Sequence, residues 1–411
     1  LYQQGFSGNH VQLPAERVRA LLALAQEYIE HSLRANRRAD GLYHAYNLLL
    51  LGPQGVEIGR LYEMLEGQVA ILSSGLLSGE ESLTLLHSLR NSALYRADQH
   101  TYILYPDRSL PSFQQKNSIR PEQIAHLKLP GVLVQAQDLA LLVQDVTGMY
   151  HFNGGLRNAK DVRQVLAALK QNPAYADLVE NEAQAIIELF EAVFQHTEFT
   201  GRSGTFFAYE GLGSVYWHMV SKLLLAAQET ALRCQDEPCA AGLRAAYEDL
   251  RAGLGFRKSP AEYGAFPTDP YSHTPRGGGA RQPGMTGMVK EEILTRQAEV
   301  GVGFAQGCLT FSPFLLDEAE LLSAPRTFTY LDVADDQQQI ELPAGSLTSF
   351  VCQVPVTVQF GERDEIRADY TDETVRIIPG RVLDQETSRH IFERDGSVRH
   401  VHVFFERAQA A

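Results

Sequence analysis

The stretch SFVCQVPVTVQF, residues 349–360, decides the fold class. Val354, Val356, Val358 and Phe360 recur at every second position, the spacing of a half-buried strand. DETVRII (372–378), RHIFER (389–394) and SVRHVHVFF (397–405) repeat that pattern, and Asp395-Gly396 between the last two is a type I′ hairpin signal. The tail therefore reads as a β-sandwich of about seven short antiparallel strands.

Upstream of Pro313 the period changes to that of a helix. Leu212, Val215, Tyr216, Met219, Leu223, Ala226 and Ala227 form one stripe, and Val18, Leu21, Leu22, Ala25 and Tyr28 form another. Leu61, Met64, Leu65, Ile71 and Leu72 make a third, and Leu83, Leu86 and Leu89 a fourth. Ser78 with Glu81 and Ser259 with Glu262 match the capping box, in which two side chains satisfy free backbone N–H groups at a helix start. Helices first and strands afterwards predict an α+β, multidomain chain: a helical domain over residues 1–312 and a β-sandwich domain over 313–411.

The 411 residues carry 36 Lys and Arg against 50 Asp and Glu, a net charge of −14. That balance argues against nucleic acid or an anionic membrane as partner, since both need clustered basic groups. No apolar run approaches the ~18 residues of a membrane span. Cys234 and Cys239 fit neither a redox pair nor a zinc knuckle and read as structural. The chain opens on Leu1 without a basic-then-apolar leader, which reads as a processed chain or a piece of a longer one and leaves cytoplasm and periplasm both open.

Residues 255–290 lack periodicity yet are crowded with Arg, Asp, His, Tyr and Gly, and loops beyond about 12–15 residues in compact domains usually bind or cover something. In PTDPYSHTP, Asp269 lies in a proline-stiffened turn with Tyr271 and His273 close behind. RGGGARQPGMTG follows with Arg276, Arg281 and Gln282, and a helix is expected to open at Thr286 and run through VKEEILTR (289–296), its N-terminus open to an anion. Glu291 and Glu292 read as complements of that helix's dipole. From residue 251 to 296 there are seven basic against four acidic residues, a local excess suited to an anionic ligand group.

A second constellation is AYEGLGSVYWH. Glu210 stands at or just before a helix start, where the dipole favours its charged form and suits it to a general base or a hydroxyl-binding carboxylate. Tyr209 adjoins it, and Trp217 offers either a face for a sugar ring or a core side chain. Arg202 in TGRSGT could grip an oxyanion. A third constellation, RADQHTYILYPDR, offers Asp98, His100, Tyr102, Asp107 and Arg108 along the mouth of the site. His400 and His402 share a strand face but show no third ligand in the sequence, so they read as a solvated face rather than a metal site. No cofactor and no metal are expected.

AYEGLGSVYWHMVSKLLLA and GAFPTDPYSHTPRGGGARQPGMTGMVKEEILTR, with loops of alternating length between helices, resemble the six-hairpin, α/α-toroid glycosidase superfamily and large bacterial carbohydrate-active proteins of that type. The resemblance implies a ring of helical hairpins, here with fewer helices than the complete ring, an active site at one end and an oligo- or polysaccharide ligand. It carries no catalytic residue over. The residues themselves suggest Asp269 as acid and Glu210 as base in a glycoside hydrolase, or in a phosphorylase where phosphate replaces water and Arg276, Arg281 and Lys290 hold it. The alternatives are a polysaccharide lyase using Tyr271, His273 and Arg, and a non-catalytic carbohydrate-binding or assembly module.

Overall fold

The computed structural model describes residues 5, 8, 12–53, 55–60, 63–106, 111–195, 215–254, 273–274 and 287–407, with the backbone alone at 273–274 and 287–290. The chain divides into two compact units. One is Leu1–Leu104 with Val215–Ala411, and the other is Tyr105–Ser214.

In chain order the helices are α1 (Ala15–Ala35), α2 (Leu65–Ser73), α3 (Gly79–Arg90), α4 (Phe113–Lys116), α5 (Pro121–Ile124), α6 (Leu129–Gln135), α7 (Ala159–Leu169), α8 (Ala176–Phe194), α9 (Trp217–Arg233), α10 (Ala240–Ala252), α11 (Gly287–Glu299) and α12 (Gln385–Glu393). The discontinuous unit gathers its helices around α9, most of whose residues are buried. Helices α2, α3, α10 and α11 all pack on it, and α3 also packs on α10. Among the described residues these helices cluster about α9, and α2 also packs on α3. The Ser78–Glu81 capping box forms as expected, with the Ser78 hydroxyl accepting from the Glu81 N–H and the Glu81 carboxylate accepting from the Ser78 N–H. Helix α1 keeps the expected periodicity, yet Leu21, Leu22, Tyr28 and Ile29 on it are exposed.

The C-terminal strands correct two expectations. Strands β13 (Ser346–Val351), β14 (Val354–Gly361), β15 (Glu365–Tyr370), β16 (Val375–Pro379) and β17 (Val398–Glu406) form one sheet in the order β13-β14-β17-β15-β16. The last strand lies in its middle, parallel to β14 and antiparallel to β15, so the sheet is mixed rather than antiparallel. RHIFER is not a strand but the end of α12. Asp384 caps that helix by accepting from the Thr387 N–H, Ile391 is buried, and Arg394 ends it in the left-handed region at φ 55°. Asp395-Gly396 accordingly links a helix to a strand rather than two strands. Hairpin β9 (Val302–Ala305) and β10 (Cys308–Phe311) lies before the boundary expected between 312 and 313, yet its Val302, Leu309 and Phe311 join the sheet's core. The β11–β12 hairpin (Arg326–Leu331 and Gln337–Leu342) pairs separately.

Residues 105–214 have a core of their own. Phe152, Phe190 and Phe194 from β6 (Tyr150–Phe152) and α8 meet there, with the first pair 5.1 Å apart edge to face. Leu129 and Leu133 of α6 and Val162, Leu166 and Leu169 of α7 complete it. Glu182 of α8 caps α6 from a distance, accepting from the Lys128 and Leu129 N–H groups. Buried Asn117 clamps β6: its amide donates to the Phe152 carbonyl at 2.7 Å and accepts from the Phe152 N–H at 2.8 Å. Asn117→Ala should therefore cost this unit about 2–3 kcal/mol, because two buried backbone groups lose their partners. The midpoint of its urea transition checks this, and a loss below about 1 kcal/mol would contradict the clamp.

Candidate functional site

The three loop systems picked out in the sequence share one anchorage on the discontinuous unit. Strand β4 (Thr101–Tyr102) lies within the third constellation, β7 (Val215–Tyr216) within the second, and β8 (His273–Thr274) within the first, PTDPYSHTP. Strand β7 pairs antiparallel with β8, placing Val215 opposite Thr274 and Tyr216 opposite His273, and β4 lies against β7. The Val-Tyr pair was read as the start of a helical stripe. Its β-branched and aromatic residues instead extend and pair with residues 273–274, and α9 begins only at Trp217. Segments some sixty positions apart in the chain are thus hydrogen-bonded to one another.

Of the expected site residues, Trp217 is described in full. Its side chain is 1% exposed at the head of α9, the core alternative of its two readings. His273 lies in β8, and Lys290 lies in the first turns of α11, both described by backbone alone. Asp269, Glu210, Tyr271, Arg276, Arg281, Gln282, Arg202, Tyr209, Asp107 and Arg108 lie outside the described residues, as does the Ser259–Glu262 capping box.

The third constellation braces the anchorage. Asp98 is gripped by Arg96 at 2.9 Å, and His100 adopts a left-handed φ of 48°. His100 reaches Asp249 of α10 through Nε2 at 2.9 Å, while Arg90 from the end of α3 meets the other oxygen of Asp249 at 3.1 Å. The Arg90 guanidinium lies 3.5 Å over the ring of Tyr95, which meets Tyr102 edge to face. Burial raises the Tyr102 hydroxyl far above its ordinary pKa, so it stays neutral and can donate. Through these two contacts Asp249 ties the 97–100 turn and the end of α3 to α10. Arg90, Tyr102 and Asp249 line a cleft of about 320 Å³ with Leu86, Ala246 and Leu250.

Gly253, just past α10, sets this geometry. A Cβ there would collide with the backbone carbonyl of His100, which has no flexible end to yield. Gly253→Ala should displace the 97–100 turn and cost about 1–3 kcal/mol. Thermal unfolding and the NMR chemical shifts of the His100 backbone would both move; an unchanged His100 signal would refute the contact.

A second polar centre was missed by sequence reasoning. Arg251 of α10, buried at 5% side-chain exposure, pairs with Glu299 at 2.9 Å and Glu292 at 3.0 Å, both on α11. Tyr247 donates to Glu299 at 2.6 Å and accepts from the Gln228 amide at 3.0 Å, and Gln228 also donates to the Thr295 carbonyl. Arg296 pairs with Glu299 and Glu320. Burial and the Glu299 charge push the Tyr247 hydroxyl well above its ordinary range. Tyr247, Arg251, Arg296 and Glu299 line a cleft of about 290 Å³. Glu291 and Glu292 fall past the first turn of α11, so the dipole role expected for them gives way: Glu292 serves Arg251, and Glu291 is 4% exposed.

The His400–His402 face is also corrected. His400 is 7% exposed, not solvated, and Asp369 stands opposite it on β15. Burial first, and the neighbouring His402 next, hold the His400 pKa down to about 3, so its ring is neutral at pH 7.

Among the described residues, no helix is long and apolar enough to cross a membrane. A search of curated proteins finds no match to the chain. Residues 110–197, nearly the whole described part of the inserted unit, match the family described as GH149 phosphorylase insertion domain 2. That insertion, placed between the two strands that anchor the candidate site, relates the chain to carbohydrate-active enzymes of the glycoside phosphorylase and hydrolase kind.

Proposed function

We propose that the chain acts as a glycoside phosphorylase, at a site on the discontinuous unit where β4, β7 and β8 meet. Asp269 is the general acid: it protonates the glycosidic oxygen as the bond to the anomeric carbon breaks. A phosphate oxygen attacks that carbon from the opposite face, giving a glycosyl phosphate and a shortened acceptor. Arg276, Arg281 and Lys290 neutralise the phosphate, and Arg202 and Arg108 are reserves of the same charge. Because phosphate is already an anion, no base is needed to activate it. Glu210 then binds a sugar hydroxyl together with Tyr209, Tyr271, His273, Gln282 and Asp107. In the hydrolytic variant of the scheme Glu210 activates water instead, with the two carboxylates about 6.5–9.5 Å apart. A toroid of helical hairpins around this site, and a sandwich closing over the C-terminal sheet, belong to the same proposal.

The single observation that supports this reading is the insertion match, since the matched family is named for a phosphorylase. The pairing of Tyr216 with His273 is in keeping with it, since these residues follow Glu210 and Asp269 in the chain by six and four positions. The test is a panel of β- and α-linked oligosaccharides incubated with and without inorganic phosphate. Phosphate-dependent formation of a glycosyl phosphate supports the proposal. Cleavage indifferent to phosphate makes the enzyme a hydrolase, and an unsaturated, ultraviolet-absorbing product makes it a lyase. Binding without cleavage leaves the carbohydrate-binding module.

A further inference from the structure

We propose that Asp369, His400 and His402 form a binding site for a divalent transition-metal ion of the zinc, cobalt or iron(II) type, on the C-terminal sheet and apart from the proposed active site. Strand alternation puts both histidines on the face of β17 opposite Val401, Val403 and Phe405. Antiparallel pairing with β15 sets Asp369 opposite His400 and Arg367 opposite His402, and a register shift follows at Asp369 and Tyr370. One ligand atom from each of the three residues lies within 4.8 Å of the others. His402 Nε2 stands 3.3 Å from Asp369 Oδ2, and the two imidazoles lie with centroids 3.7 Å apart, their planes tilted by 35°. Ligands bonded at about 2.0–2.1 Å in tetrahedral array are separated by about 3.4 Å, so the His402–Asp369 separation already fits and the widest donor separation, at most 4.8 Å, must close by at most about 1.4 Å.

The surrounding groups orient the donors. The Thr357 hydroxyl on β14 is 2.8 Å from His400 Nε2, which fixes that ring. When Nε2 carries the hydrogen, the lone pair sits on Nδ1 and is available to a cation. Arg367 donates to Asp369 Oδ1 at 2.8 Å, leaving Oδ2 toward the histidines. Two imidazoles and one carboxylate are a borderline donor set that suits zinc or iron(II) and disfavours magnesium or calcium. His402, at 25% side-chain exposure, gives the ion a path from solvent and leaves room for a water ligand.

The experiment uses the full chain, freed of metal with a chelator and titrated with Co²⁺ and Zn²⁺. One equivalent of Co²⁺ should bind with visible absorption bands, and Zn²⁺ should displace it and raise the melting temperature. His402→Gln and Asp369→Asn, each checked for fold by circular dichroism, should lose that equivalent. Thr357→Val, which keeps all three ligands, should weaken it about 10–100-fold. A wild-type chain without cobalt bands, or either ligand variant folded and binding as wild type does, overturns the proposal.

Discussion

Asp269→Asn is expected to lower turnover about 10²–10⁴-fold while leaving glycoside and phosphate binding within about twofold. The amide occupies the same volume and still accepts a hydrogen bond, but it has no proton to give to the departing oxygen. Proton transfer by a positioned side chain contributes about that factor, equivalent to about 3–5 kcal/mol of barrier at 1.36 kcal/mol per decade. A leaving group that needs no protonation supplies the control: with a nitrophenyl or fluoride substrate the variant should regain most of its rate. Glu210→Gln separates the two chemistries. In phosphorolysis it should chiefly raise KM, because the carboxylate binds a hydroxyl, whereas in hydrolysis it should depress kcat as severely as the Asp269 change. Calorimetric titration with the sugar that supports turnover checks binding. Full activity of Asp269→Asn would remove this residue from the mechanism.

Glu299→Ala should cost about 3 kcal/mol of stability. Glu299 is met by Arg251 at 2.9 Å and Arg296 at 3.2 Å, and it accepts from Tyr247 at 2.6 Å, so truncation strips three partners at once. Breaking a buried ion pair from one side costs about 3–5 kcal/mol, and Glu292 still faces Arg251, which places the value at the lower end. Glu299→Gln keeps an acceptor for Tyr247 and should lose about half as much. Tyr247→Phe removes one hydrogen bond and should cost about 1 kcal/mol. A double-mutant cycle of Glu299→Ala with Tyr247→Phe, read from urea midpoints, should show coupling. Strict additivity would mean that the hydroxyl does not depend on the carboxylate.

Local signals in the sequence carried over well where they rest on neighbouring residues. The Ser78–Glu81 box is such a case, since both partners lie within one turn. RHIFER misled because its apolar pair is flanked by charge on both sides, like a short strand, while the cap that makes it helical lies five residues upstream at Asp384. The polar centre at Arg251 could not be read, because Glu292 and Glu299 are more than forty positions away and only helix packing unites them. The same holds for Asp369, which meets the histidines across a strand pairing that no spacing rule encodes. The interruption at 105–214 was equally hidden, since helices inside and outside it share one period. What could be read was where periodic structure stops, because glycine, proline and polar residues accumulate there.

That interruption has a consequence for how the protein is made. Helix α2 rests on α9 and α3 on α10, so their partners emerge from the ribosome only after more than a hundred further residues. At about 5–20 residues per second the early helices wait roughly 6–30 s with apolar faces uncovered, while the intervening unit completes its own core. The guest is therefore finished before its host, and chaperone demand should fall in that interval, on residues 65–90.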